Sequence, residues 1–223
     1  MADTYPVSNA INVDLANKLQ DPVSGADNGA KAEADGSVFT ATQRNLALAD
    51  AYNQLAVRLV DKYGKDAGLV CEGIVATQAV TFASAGTTIN LDYVHPIALL
   101  KSDNAEFALY PLNSLKQDRD PYLDQGYALE GGKLYAYQRS AGTLTQLTSG
   151  TGTFYYIKSD RRSTSTGAPL AVNATSDTTI DQTWLIWCKE YAAWWLAMNK
   201  GAGEWVARAE VFSQQVELKL PKV

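Results

Sequence analysis

Helical spacing of apolar residues occupies the two ends of the chain, and alternating or clustered apolar runs occupy its middle. Residues 1–20 allow a short helix near Ile11–Leu19. Residues 21–38, DPVSGADNGAKAEADGSV, hold almost no large apolar group, and 1–38 reads as a flexible N-terminal arm. At Thr40 a helix begins. Thr40-Ala41-Thr42-Gln43 has the S/T-x-x-Q form in which the Thr side chain caps one free N–H and Gln reaches back to another. Lys62 in the last turn and Gly64 beyond it end the helix near Tyr63. At about 100° per residue, Leu48, Tyr52, Leu55, Ala56, Leu59 and Tyr63 share one face. Leu46 and Val57 lie away from it, which predicts cover on more than one side.

From 67 to 160 the texture is that of strands. AVTFA faces TTINL across Ser84-Ala85-Gly86, and EFALY stops at Pro111. YALEGGKLYAY reads as a hairpin around Gly131-Gly132, and TLTQL and TFYYIK are joined by Ser149-Gly150-Thr151-Gly152. Short strands with tight turns predict an antiparallel sheet. Residues 161–178 read as a polar loop. Thr179-Ile180-Asp181-Gln182 repeats the capping-box form, so a helix over about 180–200, closed by Gly201, and a second over about 203–214 form an αα-hairpin. The tail QQVELKLPKV alternates Val216, Leu218 and Leu220 with Glu217 and Lys219, a period of two that reads as extended. It can join its own sheet, add to a partner's sheet edge, or stay loose. The fold class is therefore α+β: a helical bundle of the long helix (39–66) and the C-terminal αα-hairpin (179–215), with an inserted antiparallel β-sheet region (67–160), a loop (161–178) and an extended tail (216–223).

All five tryptophans lie between Trp184 and Trp205. On a helical projection Trp184, Trp187, Trp194, Trp195 and Tyr191 share one broad face, with Lys189 opposite. Lys189 and Glu190 interrupt the run, so it does not span a bilayer. Two amphipathic helices joined by a glycine turn pack face to face. Leu55, Leu59, Trp184, Tyr191, Trp195 and Phe212 are the expected core. Trp187, Trp194 and Trp205 are candidates for a subunit interface.

Composition narrows the function classes. The chain has 223 residues and a formal net charge of −5, with a pI near 4.9 and a mean hydropathy of −0.18. That balance argues against a general nucleic-acid binder, which needs many cations. Cys71 and Cys188 stand far apart in no metal-type spacing; a disulfide between them is open, and a reducing compartment is the better reading. No basic start with an apolar run marks a secretory leader. One histidine, His95, precedes Pro96 and reads as a turn residue, and a two-histidine metal site is excluded. No phosphate loop, dinucleotide fingerprint or serine-nucleophile motif is present. Asp118, Asp120 and Asp124 in QDRDPYLDQG are weak candidates for a cation or a glycosidase-like pair, although Pro121 breaks calcium-loop spacing. Arg161 and Arg162 suit a strand end or an acidic partner surface. No cofactor is implied.

The order of these segments resembles the head–tail adaptor (connector) proteins of tailed, especially short-tailed, bacteriophages. The matching stretches are TATQRNLALADAYNQLAVRLVDKYG, VTFASAGTTINLDYVHPIAL, YALEGGKLYAY, TFYYIKSDRR and EYAAWWLAMNKGAGEWVARAEVF, spanning residues 38–218. No single motif carries the likeness; the ordering does. The arm over 1–38 and the tryptophan content depart from the pattern. The resemblance implies a non-enzymatic virion protein of the neck, assembled in the host cytoplasm. It implies a ring of typically twelve copies below the portal protein, joined to a tail or nozzle protein. DNA would pass through without specific binding, and no membrane is involved. The resemblance also assigns the tail, Val216, Leu218, Leu220, Pro221 and Lys222, to docking on the portal. Two rivals remain. A carbohydrate- or receptor-binding module would present Tyr135, Tyr137, Tyr155 and Tyr156 on its sheet, and an enzyme would use Asp118 and Asp124.

Overall fold

The computed structural model describes residues 5–6, 15–19, 38–159, 177–178, 182–201 and 203–219. These fall into two compact units: Val75–Lys158, and the described residues before and after it.

The helical unit holds β1 (Tyr5–Pro6), α1 (residues 15–19), α2 (Ala41–Tyr63), α3 (Ala67–Val70), β10 (Asp177–Thr178), α5 (Gln182–Lys200) and α6 (Glu204–Lys219). Helix α2 starts as its sequence dictates. The Gln43 N–H donates to Thr40 Oγ1 (3.1 Å), and the Thr40 N–H donates to Gln43 Oε1 (2.8 Å). Gly64, at φ 58°, ends it by donating its N–H to the Val60 carbonyl. Leu48, Tyr52, Leu55, Ala56 and Leu59 are fully buried, and Ala47, Ala49 and Ala51 widen that arc. Leu46 and Val57, expected to be covered, are 52% and 38% exposed. Helix α5 packs on α2 and on α6. The strands β1 and β10 form a two-residue antiparallel pair, Tyr5 opposite Thr178, where a continuous loop over 161–178 was expected.

The second unit is an eight-stranded sheet. Its strands are β2 (Val75–Thr81), β3 (Thr87–Thr88), β4 (Tyr93–Lys101), β5 (Glu106–Leu109), β6 (Gln125–Glu130), β7 (Lys133–Ser140), β8 (Thr143–Gln146) and β9 (Thr151–Lys158), with α4 (Leu112–Lys116) between β5 and β6. The order is β2-β9-β4-β5-β6-β7-β3, with β8 paired to β7. All pairs are antiparallel except β5 and β6, which run parallel and are joined by the crossover carrying α4.

The two ends of this order, β2 and β3, are neighbours in the chain. They share no backbone ladder, yet they are tied. Gln78 Nε2 donates to the Thr88 carbonyl (2.9 Å), the Asn90 N–H donates to Gln78 Oε1 (2.9 Å), and Thr87 Oγ1 donates to the Thr81 carbonyl. The Gln78 amide thus stands in for a peptide unit, and the sheet curls until its ends meet. Its enclosed face is filled from around the ring by Val80, Phe82, Ile89, Leu99, Phe107, Tyr127, Leu134, Ala136, Phe154 and Tyr156. A second cluster, Leu112, Leu115, Leu123, Ala128, Tyr137 and Leu144, joins α4 and β8 to the other face of β6 and β7.

A helical bundle with an inserted antiparallel sheet is therefore not the fold. The protein is mixed α/β, and its large eight-stranded sheet closes around a core of its own and includes a parallel pair. Two local expectations also change. TTINL pairs with β7 rather than with AVTFA. His95 and Pro96 lie inside β4, between two register irregularities, rather than in a turn. A bulge is where a strand tolerates a proline that cannot donate to the ladder.

Candidate interaction surface

The carboxylate loop between α4 and β6 is built around Arg139 of β7. Its guanidinium donates to both Asp118 carboxylate oxygens (2.5 and 3.0 Å) and to the carbonyls of Asp120, Leu123 and Gly142. Asp118 also accepts the Leu144 N–H (3.1 Å). The hydrogen bonds from Arg139 and Leu144 hold the Asp118 carboxyl below its ordinary range. Asp120 accepts from the Tyr110 hydroxyl (3.0 Å) and from the Tyr122 N–H. Asp118 and Asp120 are thus loop fasteners facing a cation, a hydroxyl and backbone amides. Asp124 is exposed and contributes its carbonyl to the Arg139 N–H. Among the described residues no group of three or more His, Cys, Asp or Glu is arranged to hold a metal ion. His95 is half-buried, and desolvation lowers its pKa.

The sheet tyrosines do not form an exposed platform. Tyr137 and Tyr156 are buried, and Tyr135 is half-buried against the second cluster. Tyr156 donates to Asp92 Oδ1 (3.0 Å) and accepts from Asn90 Nδ2 (2.9 Å). Burial pushes the Tyr156 hydroxyl up to about 12 and raises the Asp92 carboxyl. Tyr122, at the tip of the carboxylate loop, is 92% exposed.

The tryptophans resolve into two groups. Trp184 and Trp187 are buried in α5, and Trp187 stacks on Tyr191 at 5.3 Å. Trp205 is buried at the start of α6, edge-on to Phe39 (5.0 Å), with the Arg208 guanidinium 4.6 Å from its centroid. Trp187 and Trp205, offered by sequence as interface residues, are therefore interior. Trp194 is half-exposed and leans on Tyr191 at 5.2 Å. Trp195, expected in the core beside Leu55, Leu59, Tyr191 and Phe212, is instead half-exposed. It lines a cleft of 160 Å³ with Val38, Phe39, Gln43, Leu46, Leu196, Asn199 and Lys200. The cleft lies where the first turns of α2 meet the last turns of α5. Sequence reasoning missed it, although Leu46 lying off the main apolar face was the signal.

Helix α6 is two-sided. Trp205, Ala209 and Phe212 are buried, while Glu204, Val206, Ala207, Glu210, Val211 and Gln214 are exposed. It continues to Lys219, so Val216 and Leu218 are helical rather than part of an extended tail. Leu220, Pro221, Lys222, Arg161 and Arg162 lie outside the described residues. Both cysteines are buried, and no disulfide joins them. Among the described residues no helix is long and apolar enough to cross a membrane. No protein-family model matches the chain, and no curated protein matches it.

Proposed function

We propose that this chain is a structural virion protein, a head-to-tail adaptor that forms a ring below the portal and joins the capsid to the tail. Two things support the reading. One is the segment order from the capped helix to the αα-hairpin. The other, which carries it on structural grounds, is the distribution of exposed large apolar side chains. Among the described residues, six of the ten, Leu46, Val57, Ile186, Met198, Val206 and Val211, lie on α2, α5 and α6. Three helices whose inward faces are already filled still offer apolar side chains outward, and such surfaces serve association. In this reading self-association makes the ring, the portal protein holds it from above, and the tail or nozzle protein is held below. DNA slides past an acidic chain without being gripped, and the role is architectural rather than catalytic.

The rival sugar-binding reading requires open rings on the sheet. Burial of Tyr137 and Tyr156 removes two of its four, Tyr135 and Tyr155 are half-buried, and the exposed aromatic of that unit is Tyr122, outside the four. The two readings separate in one experiment, in which the purified chain is offered an immobilised portal ring of the same virus and, in parallel, a glycan array. Saturable capture by the portal ring supports the adaptor; glycan capture without portal capture overturns it.

A further inference from the structure

The cleft between α2 and α5 and the outward ridge of α6 are complementary surfaces of one molecule. The cleft has an apolar floor, Phe39, Leu46, Trp195 and Leu196, and a polar rim of Gln43, Asn199 and Lys200. Lys200 stands in the last turn of α5 and is exposed. Along α5 the cleft runs from Trp195 to Lys200, about 8 Å at 1.5 Å per residue. The ridge from Ala207 to Val211 spans about 6 Å on the same measure and fits within it. On the projection of α6, Ala207 and Val211 lie side by side, with Glu204 and Glu210 flanking them. All four are exposed, Val211 to 57%. On one flank Glu204 is paired with Arg208 (3.8 Å), and Ala207 and Val211 line a groove there with Lys18, Arg208 and Phe212. On the other flank Glu210 is the carboxylate that matches the ammonium group at the rim of the trough. A helix ridge laid in such a trough is a recurrent recognition mode.

We propose that the α6 ridge of one copy seats in the Leu46–Trp195 cleft of the next, with Glu210 facing Lys200. This rests on the ring-forming reading above and gives it a contact. The surfaces differ, so the contact is heterologous. Each copy uses its cleft on one side and its ridge on the other, and the series closes into a ring if the rotation between copies allows. An isologous dimer would instead pair cleft with cleft or ridge with ridge.

The test uses two variants of the full chain, Gln43→Cys at the cleft rim and Ala207→Cys on the ridge. Native Cys71 and Cys188 are buried and do not compete for a short bis-maleimide linker. The expected result, free at high concentration or loaded on the portal ring, is a covalent dimer from the mixture and none from either variant alone. Adding Leu46→Glu to the first or Val211→Glu to the second abolishes it; both positions are about half exposed, so the fold tolerates the change. Lys200→Glu weakens the crosslink and Glu210→Lys on the other partner restores it. Crosslinking within one variant alone, or persistence through Leu46→Glu and Val211→Glu, overturns the proposal. So does absence of any crosslink in chains that have loaded on the portal ring, and in that case the adaptor reading survives. A chain that crosslinks as expected but never loads on the portal keeps the contact and defeats the adaptor reading.

Discussion

At the scale of single residues, the closed sheet has two positions with sharp consequences. Asp92 is 4% exposed and accepts a hydrogen bond from Tyr156. Burial raises its pKa above the ordinary 3.8, although Tyr156 and Lys158 pull the other way. The sign follows from linkage. Below about pH 3.8 the carboxyl is protonated whether folded or unfolded, and costs nothing. As the pH climbs through the raised folded value, the unfolded chain ionises more readily, and stability is lost. Asp92→Asn keeps an acceptor for the Tyr156 hydroxyl and cannot ionise. Thermal melts should therefore place the variant above the natural protein at pH 7, with the gap closing toward pH 3; a gap that is constant with pH contradicts this. Gly152 of β9 faces the enclosed core. A Cβ there would lie 2.6 Å from the Leu100 carbonyl oxygen and 3.0 Å from Phe82 Cζ. Backbone cannot retreat as a side chain does, so Gly152→Ala should cost about 1–3 kcal/mol in chemical denaturation.

At the scale of elements, local chemistry was legible and pairing was not. The Thr40 cap, the Gly64 stop and the Gly131-Gly132 turn appear in the structure where the sequence puts them, because each is decided within a few residues. Glu130 does sit opposite Lys133 across that turn. The parallel neighbours β5 and β6, and the docking of β3 on β7, depend on contacts far apart in the chain, and no local spacing encodes them. The tail misled for another reason. Val216 and Leu218 alternate over too few positions to tell a strand from a helix. Gln214, Gln215, Glu217 and Lys219 are good helix formers, and the next breaker is Pro221, so α6 runs on. Aromatic content was likewise ambiguous: it placed Trp184 and Phe212 inside but gave no way to tell that Trp187 lies in the interior and Trp195 at a cleft. Two predictions belong here. Thr40→Ala should lower stability by about 1 kcal/mol through loss of the cap. Gln78→Leu leaves the Asn90 N–H and the Thr88 carbonyl without the side chain that closes the sheet, costing on the order of 1–2 kcal/mol. Amide exchange should then quicken at Asn90 while β9 stays protected.

At the scale of the whole molecule, an acidic chain holds a sheet with a buried core of its own and a helical unit with apolar side chains left outside. The sheet needs no partner to complete its interior. The helices have buried their inward faces and still present Leu46, Ile186, Met198, Val206 and Val211. Association through the helical unit is the consequence drawn from that contrast, and the ring on the portal is the form proposed for it. Charge acts at this scale as well. A Glu210–Lys200 contact at the rim of an interface is screened by salt, so assembly should weaken, without vanishing, as the ionic strength rises. The most direct measurement is the mass of the complex between this chain and the isolated portal ring, taken by native mass spectrometry and checked by electron microscopy. The expected result is a single added ring whose copy number matches the symmetry of the portal, lost when Leu46 and Val211 are both replaced by Glu. A chain that leaves the portal's mass unchanged at saturating concentration would contradict it.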